Sequence, residues 1–180
     1  MIRRYADIPG RNGKLGDPAA QALFQLRGLA LGKPAPEVQG ADVDGKQLQL
    51  GDYRGQVVVL VFASGLSGPS SDLCAQGRAL SQRMKGRPFA VLSVQLDDSK
   101  ETVTQSIKAG EITWRCLWEG GANRPNCDRW RVGFIPSVYV IDADGIIRAK
   151  EVKGKALEEA VDANLAKMDP PAAAVPASKP

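Results

Sequence analysis

The sequence predicts an α/β domain, a central mixed β-sheet flanked by helices. Three observations carry this. Val57-Val58-Val59-Leu60-Val61-Phe62 is an uninterrupted apolar run, the pattern of a parallel strand covered on both faces. Phe89 to Leu96 forms a second such run, and Leu73, Gly77, Leu80 and Met84 lie between the two at helical spacing. Strand, helix and strand therefore follow in the order of a parallel, right-handed crossover. Ser137–Ile141 and Ile146–Ala149 are joined by Asp142-Ala143-Asp144-Gly145, a hairpin signal that adds an antiparallel edge.

From the N-terminus, Asp17-Pro18 reads as an N-cap with proline at the first helical position, opening a helix to about Arg27. Leu23, Leu26 and Ala30 give it an apolar stripe, and Gly28 or Gly32 can end it. Lys33-Pro34-Ala35-Pro36 forces an extended entry to the core. Asp42-Val43-Asp44-Gly45 sits between two short extended segments as the turn of an N-terminal hairpin. A helix runs on from Ser70. Asp97-Asp98-Ser99 caps the next, which carries Val103 and Ile107. Ile112–Leu117 is a short strand and Asn126–Arg131 a short helix, and Leu157, Val161, Leu165 and Met168 mark a last amphipathic helix. The expected domains are an N-terminal extension over 1–32 with one extra helix, a core over 33–168, and a disordered Pro/Ala-rich tail over 169–180.

Composition narrows the function. At 180 residues with 43% apolar content, one domain with a substantial core is expected. The net charge of +4 includes an Arg124, Arg129, Arg131 group and a Lys150, Lys153, Lys155 group. Neither is interleaved with aromatics, so a solvated face is expected and nucleic acid is not. No apolar stretch reaches membrane-spanning length. Met1-Ile2-Arg3-Arg4 leads into polar residues rather than a signal segment, so a cytoplasmic location is expected for a full-length chain, though not for a fragment of an exported one. The chain has no histidine. That excludes Cys–His nucleophile pairs, Ser–His–Asp triads and His-containing zinc sites; no metal or other cofactor is expected.

The residues with most bearing on chemistry follow the first strand: Ala63-Ser64-Gly65-Leu66-Ser67-Gly68-Pro69-Ser70. Ser67 and Ser70 at a helix start invite a nucleophile reading, but no histidine or suitably spaced lysine would take the proton. Capping of the helix is the simpler role, and anion binding to the free N–H groups a weaker one. Cys74 lies one turn further on, as a buried structural cysteine. Cys116 and Cys127 flank a Gly-rich loop that can bring them together in a disulfide, although free thiols are favoured without an export signal. Trp114, Trp118 and Trp130 bracket the same region and read as packing, unless exposed beside Pro136.

The order of elements, with Pro136 heading a core strand, resembles the thioredoxin fold. More narrowly it is similar to the TlpA/ResA branch of thiol:disulfide interchange proteins, related to the AhpC/TSA superfamily. The residues that carry the resemblance are Gly32–Pro36, Asp44-Gly45-Lys46, Tyr53-Arg54-Gly55, Ser67-Gly68-Pro69-Ser70, Ile135–Asp142 and Asp144-Gly145. It covers roughly residues 33 to 168. It implies that Ser67 and Ser70 stand where the family carries two cysteines and Leu66 where it carries tryptophan. Val61 would replace a buried carboxylate, and Leu73 a glutamate. Pro136 would be the cis-proline that, with Ile135 and Ser137, presents a backbone edge to a partner's peptide. A serine hydroxyl is not ionised near neutral pH and forms no disulfide, whereas family chemistry needs a thiolate. These joint losses fit relaxed redox selection better than an engineered trap, which usually alters one cysteine. A redox-inactive module binding a protein or peptide, with no catalytic residue, is therefore expected. The alternative is a thiol oxidoreductase or weak peroxidase using Cys74, or Cys116 with Cys127. The oligomeric state is not legible.

Overall fold

The computed structural model describes residues 28–65 and 69–168, together with two short strands ahead of them, β1 (Pro9–Gly10) and β2 (Gly13–Lys14). The expected helix over 17–27 and the tail over 169–180 lie outside the described residues. The core runs β3 (Gln39–Ala41), β4 (Gln47–Gln49), a 3₁₀ turn (Leu50–Tyr53), β5 (Val57–Ala63), α1 (Pro69–Arg83), β6 (Phe89–Gln95), α2 (Lys100–Lys108), β7 (Arg115–Trp118), α3 (Pro125–Trp130), β8 (Ser137–Ile141), β9 (Ile147–Lys150) and α4 (Lys155–Ala166). The main sheet has the order β7-β6-β5-β8-β9, with β5, β6 and β7 parallel and β8 and β9 antiparallel to their neighbours. This is the thioredoxin-like arrangement, a mixed sheet flanked by helices.

The central position of β5 explains its sequence. Val57, Val59, Val61 and Ala63 pack with Leu73, Leu80 and Met84 of α1 and Leu157, Val161 and Leu165 of α4. Val58, Leu60 and Phe62 face the other way, against Leu48 of the hairpin, Leu50 of the 3₁₀ turn, and Cys127 and Trp130 of α3. Both faces are dry, so the strand has no polar alternation. Phe62, Trp130 and Tyr139 form an aromatic cluster on the second face, with ring centroids 4.7 to 6.3 Å apart. Each large side chain buried there contributes about 1.5–3 kcal/mol.

Both edges of the main sheet are covered, which removes templates for intermolecular pairing. Residues 32–35 run along β9, with hydrogen bonds from Gly32 N to Ile147 O and from Ile147 N to Lys33 O. The β3–β4 hairpin closes the other edge through a bridge between Asp42 and Leu117. Two turns of the same chemistry hold these edges. Asp42 Oδ1 accepts from the N–H groups of Asp44 and Lys46, and Asp142 Oδ1 accepts from those of Asp144 and Ile146. The second oxygen of each takes an arginine: Arg115 Nη2 on Asp42 at 2.8 Å and Arg148 Nε on Asp142 at 2.5 Å. Gly45 and Gly145 supply the positive φ that these turns need. Arg54 lies over Gly145, where any Cβ would collide with its guanidinium.

Several elements differ from expectation in detail, most of them by one residue at an end. β7 starts at Arg115 rather than Ile112. α3 starts at Pro125 and ends before Arg131, which turns the chain with φ 49°. The Asp97-Asp98-Ser99 cap is not used as such. Ser99 occupies the N-cap position of α2, but its hydroxyl donates to Glu101 instead of accepting from the helix, and Asp97 is engaged elsewhere.

Candidate functional site

The site is assembled at the C-terminal ends of β5, β6 and β7, where loops of an α/β sheet converge. After Ala63 the chain turns at Gly65, whose N–H donates to Asp97 Oδ1 at 2.7 Å. Asp97 lies two residues past the end of β6, and its carbonyl accepts from the indole N–H of Trp118. Its 8% exposed side chain thus ties the β5 loop to the β6 and β7 ends. Leu66, Ser67 and Gly68 lie outside the described residues, and Pro69 opens α1. Ser70 is already helical and 5% exposed, and its hydroxyl donates to Ser64 O at 3.4 Å, a long contact. That corrects its expected capping role: the Ser70 hydroxyl donates a hydrogen bond to the preceding loop instead of accepting one from a helix N–H.

The three cysteines are free and buried. Cys74 faces a narrow cavity beneath α1, beside Val61, Ser93, Gln95 and Trp114. Burial raises its thiol pKa, outweighing the opposing effect of Arg78. Burial pushes Cys116 up to about 11 and Cys127 to about 12, the latter with the Glu119 carboxylate adding to it. Cys116 packs with Val103 and Ile112, whereas Cys127 belongs to the Phe62–Trp130 cluster, so the two thiols sit in separate apolar environments. A nucleophilic thiolate needs a lowered pKa and access, and none of the three has either.

Ser93 and Gln95 are the polar positions on the α1 face of β6. Ser93 Oγ accepts from Gln95 Nε2 at 3.1 Å and from Trp114 Nε1 at 3.0 Å. Gly77 of α1 lets the helix approach the Trp114 ring, since a Cβ there would stand 3.0 Å from it. Val61 pairs in register with Ser93, so its apolar side chain completes a site that holds no charge. Among the described residues no group of three Cys, Asp or Glu side chains is placed to hold a metal ion.

The opposite wall is built by α3 and the segment after it. Glu119 is 8% exposed and accepts from the N–H groups of Asn126 and Cys127 and from the Asn126 side chain. It therefore caps α3 from outside the helix. Asn126 returns to the β3 hairpin through reciprocal bonds with Gln39, 2.9 and 3.0 Å long. Both residues escaped the sequence reading. The available signal was an acidic residue immediately after a parallel strand and seven positions before an asparagine.

Beyond Arg131 the chain runs through Gly133-Phe134-Ile135 to Pro136, and the Ile135–Pro136 peptide is cis. Pro136 and Ser137 are buried, while Phe134 is 59% and Ile135 43% exposed. Ser137 Oγ donates to Phe134 O. Among the described residues nothing accepts from the N–H groups of Gly133, Phe134 or Ile135. This segment borders an open groove of about 460 Å³ that also touches Leu96, Arg124, Asp128 and Arg131. Trp114 and Trp118 are only partly buried, but each indole N–H is satisfied internally, and Trp130 is fully buried. No tryptophan lines this groove.

Comparison with known proteins agrees with this geometry. The chain is 23% identical over 160 residues to the thiol-disulfide oxidoreductase ResA of Bacillus cereus, covering 88% of this chain and 91% of the relative. It is 22% identical to the ResA of Bacillus anthracis over the same shares. Among solved structures, the thioredoxin domain of a thiol-disulfide oxidoreductase from Bacteroides vulgatus aligns with a TM-score of 0.65 at 21% identity, covering 74% of this chain and 96% of that one. A thiol:disulfide interchange protein of the thioredoxin family from Chlorobium tepidum gives 0.62 at 20% identity, covering 76% and 98%. These likenesses establish the fold. The sequence profile of the AhpC/TSA family matches residues 31–150, two thirds of the chain and every part of the site described above, and the chain belongs to the AhpC/TSA family.

Proposed function

We propose that this chain is a redox-inactive member of its family that serves as a protein-binding or structural module. The segment Gly133–Ile135, with the Gly65–Ser70 loop, holds an extended stretch of a partner by backbone hydrogen bonds and no mixed disulfide forms. The observation that carries the reading is the contrast in access. Three consecutive backbone N–H groups beside exposed Phe134 and Ile135 lack partners among the described residues, while every thiol is buried. An extended chain added to such an edge gains about one hydrogen bond per two residues, each worth about 0.5–1.5 kcal/mol, with side-chain burial on top. Serines at positions 67 and 70 support the absence of redox chemistry, because neither can supply a thiolate.

The test is an amide-resolved NMR titration of the intact chain with short capped peptides of extended, apolar-rich sequence. Saturable shifts confined to Gly133, Phe134, Ile135 and Gly65 are expected. Shifts scattered over the surface, or none up to millimolar peptide, would refute the binding edge.

A further inference from the structure

We infer that protonation of Glu151 redirects the Ser137 hydroxyl onto the Phe134 carbonyl and so sets how firmly the segment Gly133–Ile135 is held for a partner. This is a regulation of the proposed binding segment, and its consequence for binding rests on that reading. Glu151 directly follows β9 and sits in the left-handed region with φ 57°, a conformation unusual for a residue with a Cβ and kept only where neighbours fix it. Its N–H donates to Val138 O at 2.7 Å, which adds a rung to the pairing of β9 with β8. Its carboxylate reaches back to the same strand and accepts from the Val138 N–H and the Ser137 hydroxyl. Glu151 itself is exposed, so protons reach it from solvent, whereas Ser137 and Val138 are buried.

The switch follows from proton counting. A serine hydroxyl has one proton to donate and lone pairs with which to accept. The Ser137 proton has two acceptors within reach, Phe134 O at 2.8 Å from Oγ and the Glu151 carboxylate. An ionised Glu151 can only accept, so it competes for that proton, and a charged acceptor makes the stronger bond. A protonated Glu151 instead donates its own proton to Ser137 Oγ, and the hydroxyl proton is left wholly to Phe134 O. The binding segment is therefore tethered more firmly on the acid side. Burial raises the Glu151 carboxyl pKa, opposed by the Ser137 hydroxyl, by Lys153 and Lys150, and by the Val138 N–H. From β8, the Tyr139 hydroxyl, which burial pushes up to about 12, feels the same carboxylate. On the helical side, Asp72 of α1 and Glu158 of α4 share a groove with Lys153. The chain has no histidine, the side chain that ordinarily titrates near neutrality, so no imidazole obscures the Glu151 transition.

The experiment follows the amide signals of the intact chain by NMR from about pH 4 to about pH 8. The Ile135 amide is the reporter, because its nitrogen is bonded to the Phe134 carbonyl carbon and its shift responds to the hydrogen bond that carbonyl accepts. One transition is expected at Ile135, with a midpoint above the ordinary glutamate value and coincident with that of the Glu151 side chain. Glu151→Gln gives Ser137 Oγ a permanent amide donor, so it should hold Ile135 at its acid-side shift throughout. Ser137→Ala should remove the Ile135 transition while Glu151 still titrates, an outcome that a merely structural role of either residue would not give. A capped, apolar-rich peptide without acidic residues should bind about threefold more tightly at the acid end, the effect of one strengthened hydrogen bond. That gap should vanish in Glu151→Gln. An Ile135 shift that ignores pH, or that still titrates in Ser137→Ala, would overturn the switch, and equal peptide affinity at both ends would overturn its control of binding. An Ile135 transition with no peptide binding at either end would uphold the proton switch and overturn the binding role.

Discussion

The two walls of the site are made from the same sheet ends yet differ in how they treat polar groups. Beneath α1, Val61, Leu73 and Cys74 are 4–5% exposed, and the polar atoms of Ser93, Gln95 and Trp114 satisfy one another. Beside α3, Phe134 and Ile135 are exposed and a run of backbone N–H groups is unpaired among the described residues. The first wall is closed and uncharged, its one ionisable group the Cys74 thiol, whose pKa burial raises. The second is open, with exposed apolar side chains beside backbone donors. A thiol enzyme needs both, reactivity on one side and a peptide edge on the other. We propose that here the edge serves without the reactivity, and on that reading the role is to bind.

Charging the closed wall should have the largest effect. Val61→Asp would bury a carboxylate opposite Ser93, whose oxygen already serves two donors. It should destabilise the fold by about 3–5 kcal/mol, read as a lowered denaturation midpoint at neutral pH. A loss below 1 kcal/mol would mean that the wall still accommodates an acid. Next comes the support of the open wall. Glu119→Ala strands the N–H groups of Asn126 and Cys127 in the first turn of α3 and should cost about 1–3 kcal/mol. Because Glu119 also raises the Cys127 thiol, that thiol should titrate lower in the variant.

The smallest effect lies on the covered edge, at the Asp42–Arg115 pair. The Arg115 guanidinium beside Asp42 holds its carboxyl below the usual range. A lowered folded pKa adds stability above the unfolded carboxylate value of about 3.9, and that stability is lost as pH falls through the folded value. Asp42→Asn keeps the turn-forming Oδ1 and removes the charge, so it should cost less than about 1 kcal/mol at pH 7 for a partly exposed pair. Chemical denaturation at pH 7 and pH 2 should show the difference shrinking toward zero at the lower value. A difference that stays constant would place the effect elsewhere.

The strands of the sheet were legible because each carries its own signature. β5 is apolar at every position since both faces are covered, and the Asp-x-Asp-Gly turns announce their hairpins locally. The cis-proline at Pro136 was legible only through the resemblance to the thioredoxin fold, since a proline before an apolar strand does not by itself announce a cis bond. What stayed hidden depends on partners distant in sequence. Asp97 reads as a helix cap by position, yet the nearer need is the Gly65 N–H, 32 residues back. Glu119 reads as part of a Gly-rich loop, and only the fold brings it over the start of α3. Ser70 misled for a related reason: the helix begins one residue earlier, so its hydroxyl faces the loop. The exposure of Phe134 and Ile135 is equally illegible, since nothing in Gly-Phe-Ile-Pro distinguishes a packed approach to a strand from an open one.

The most direct test of a binding module without thiol chemistry is turnover. The intact chain and its Cys74→Ser variant should be compared for dithiothreitol-driven insulin reduction and for peroxide consumption. Background rates are expected for both proteins, with no difference between them. Turnover above background that Cys74→Ser abolishes would contradict it and return the chain to the catalysts of its family.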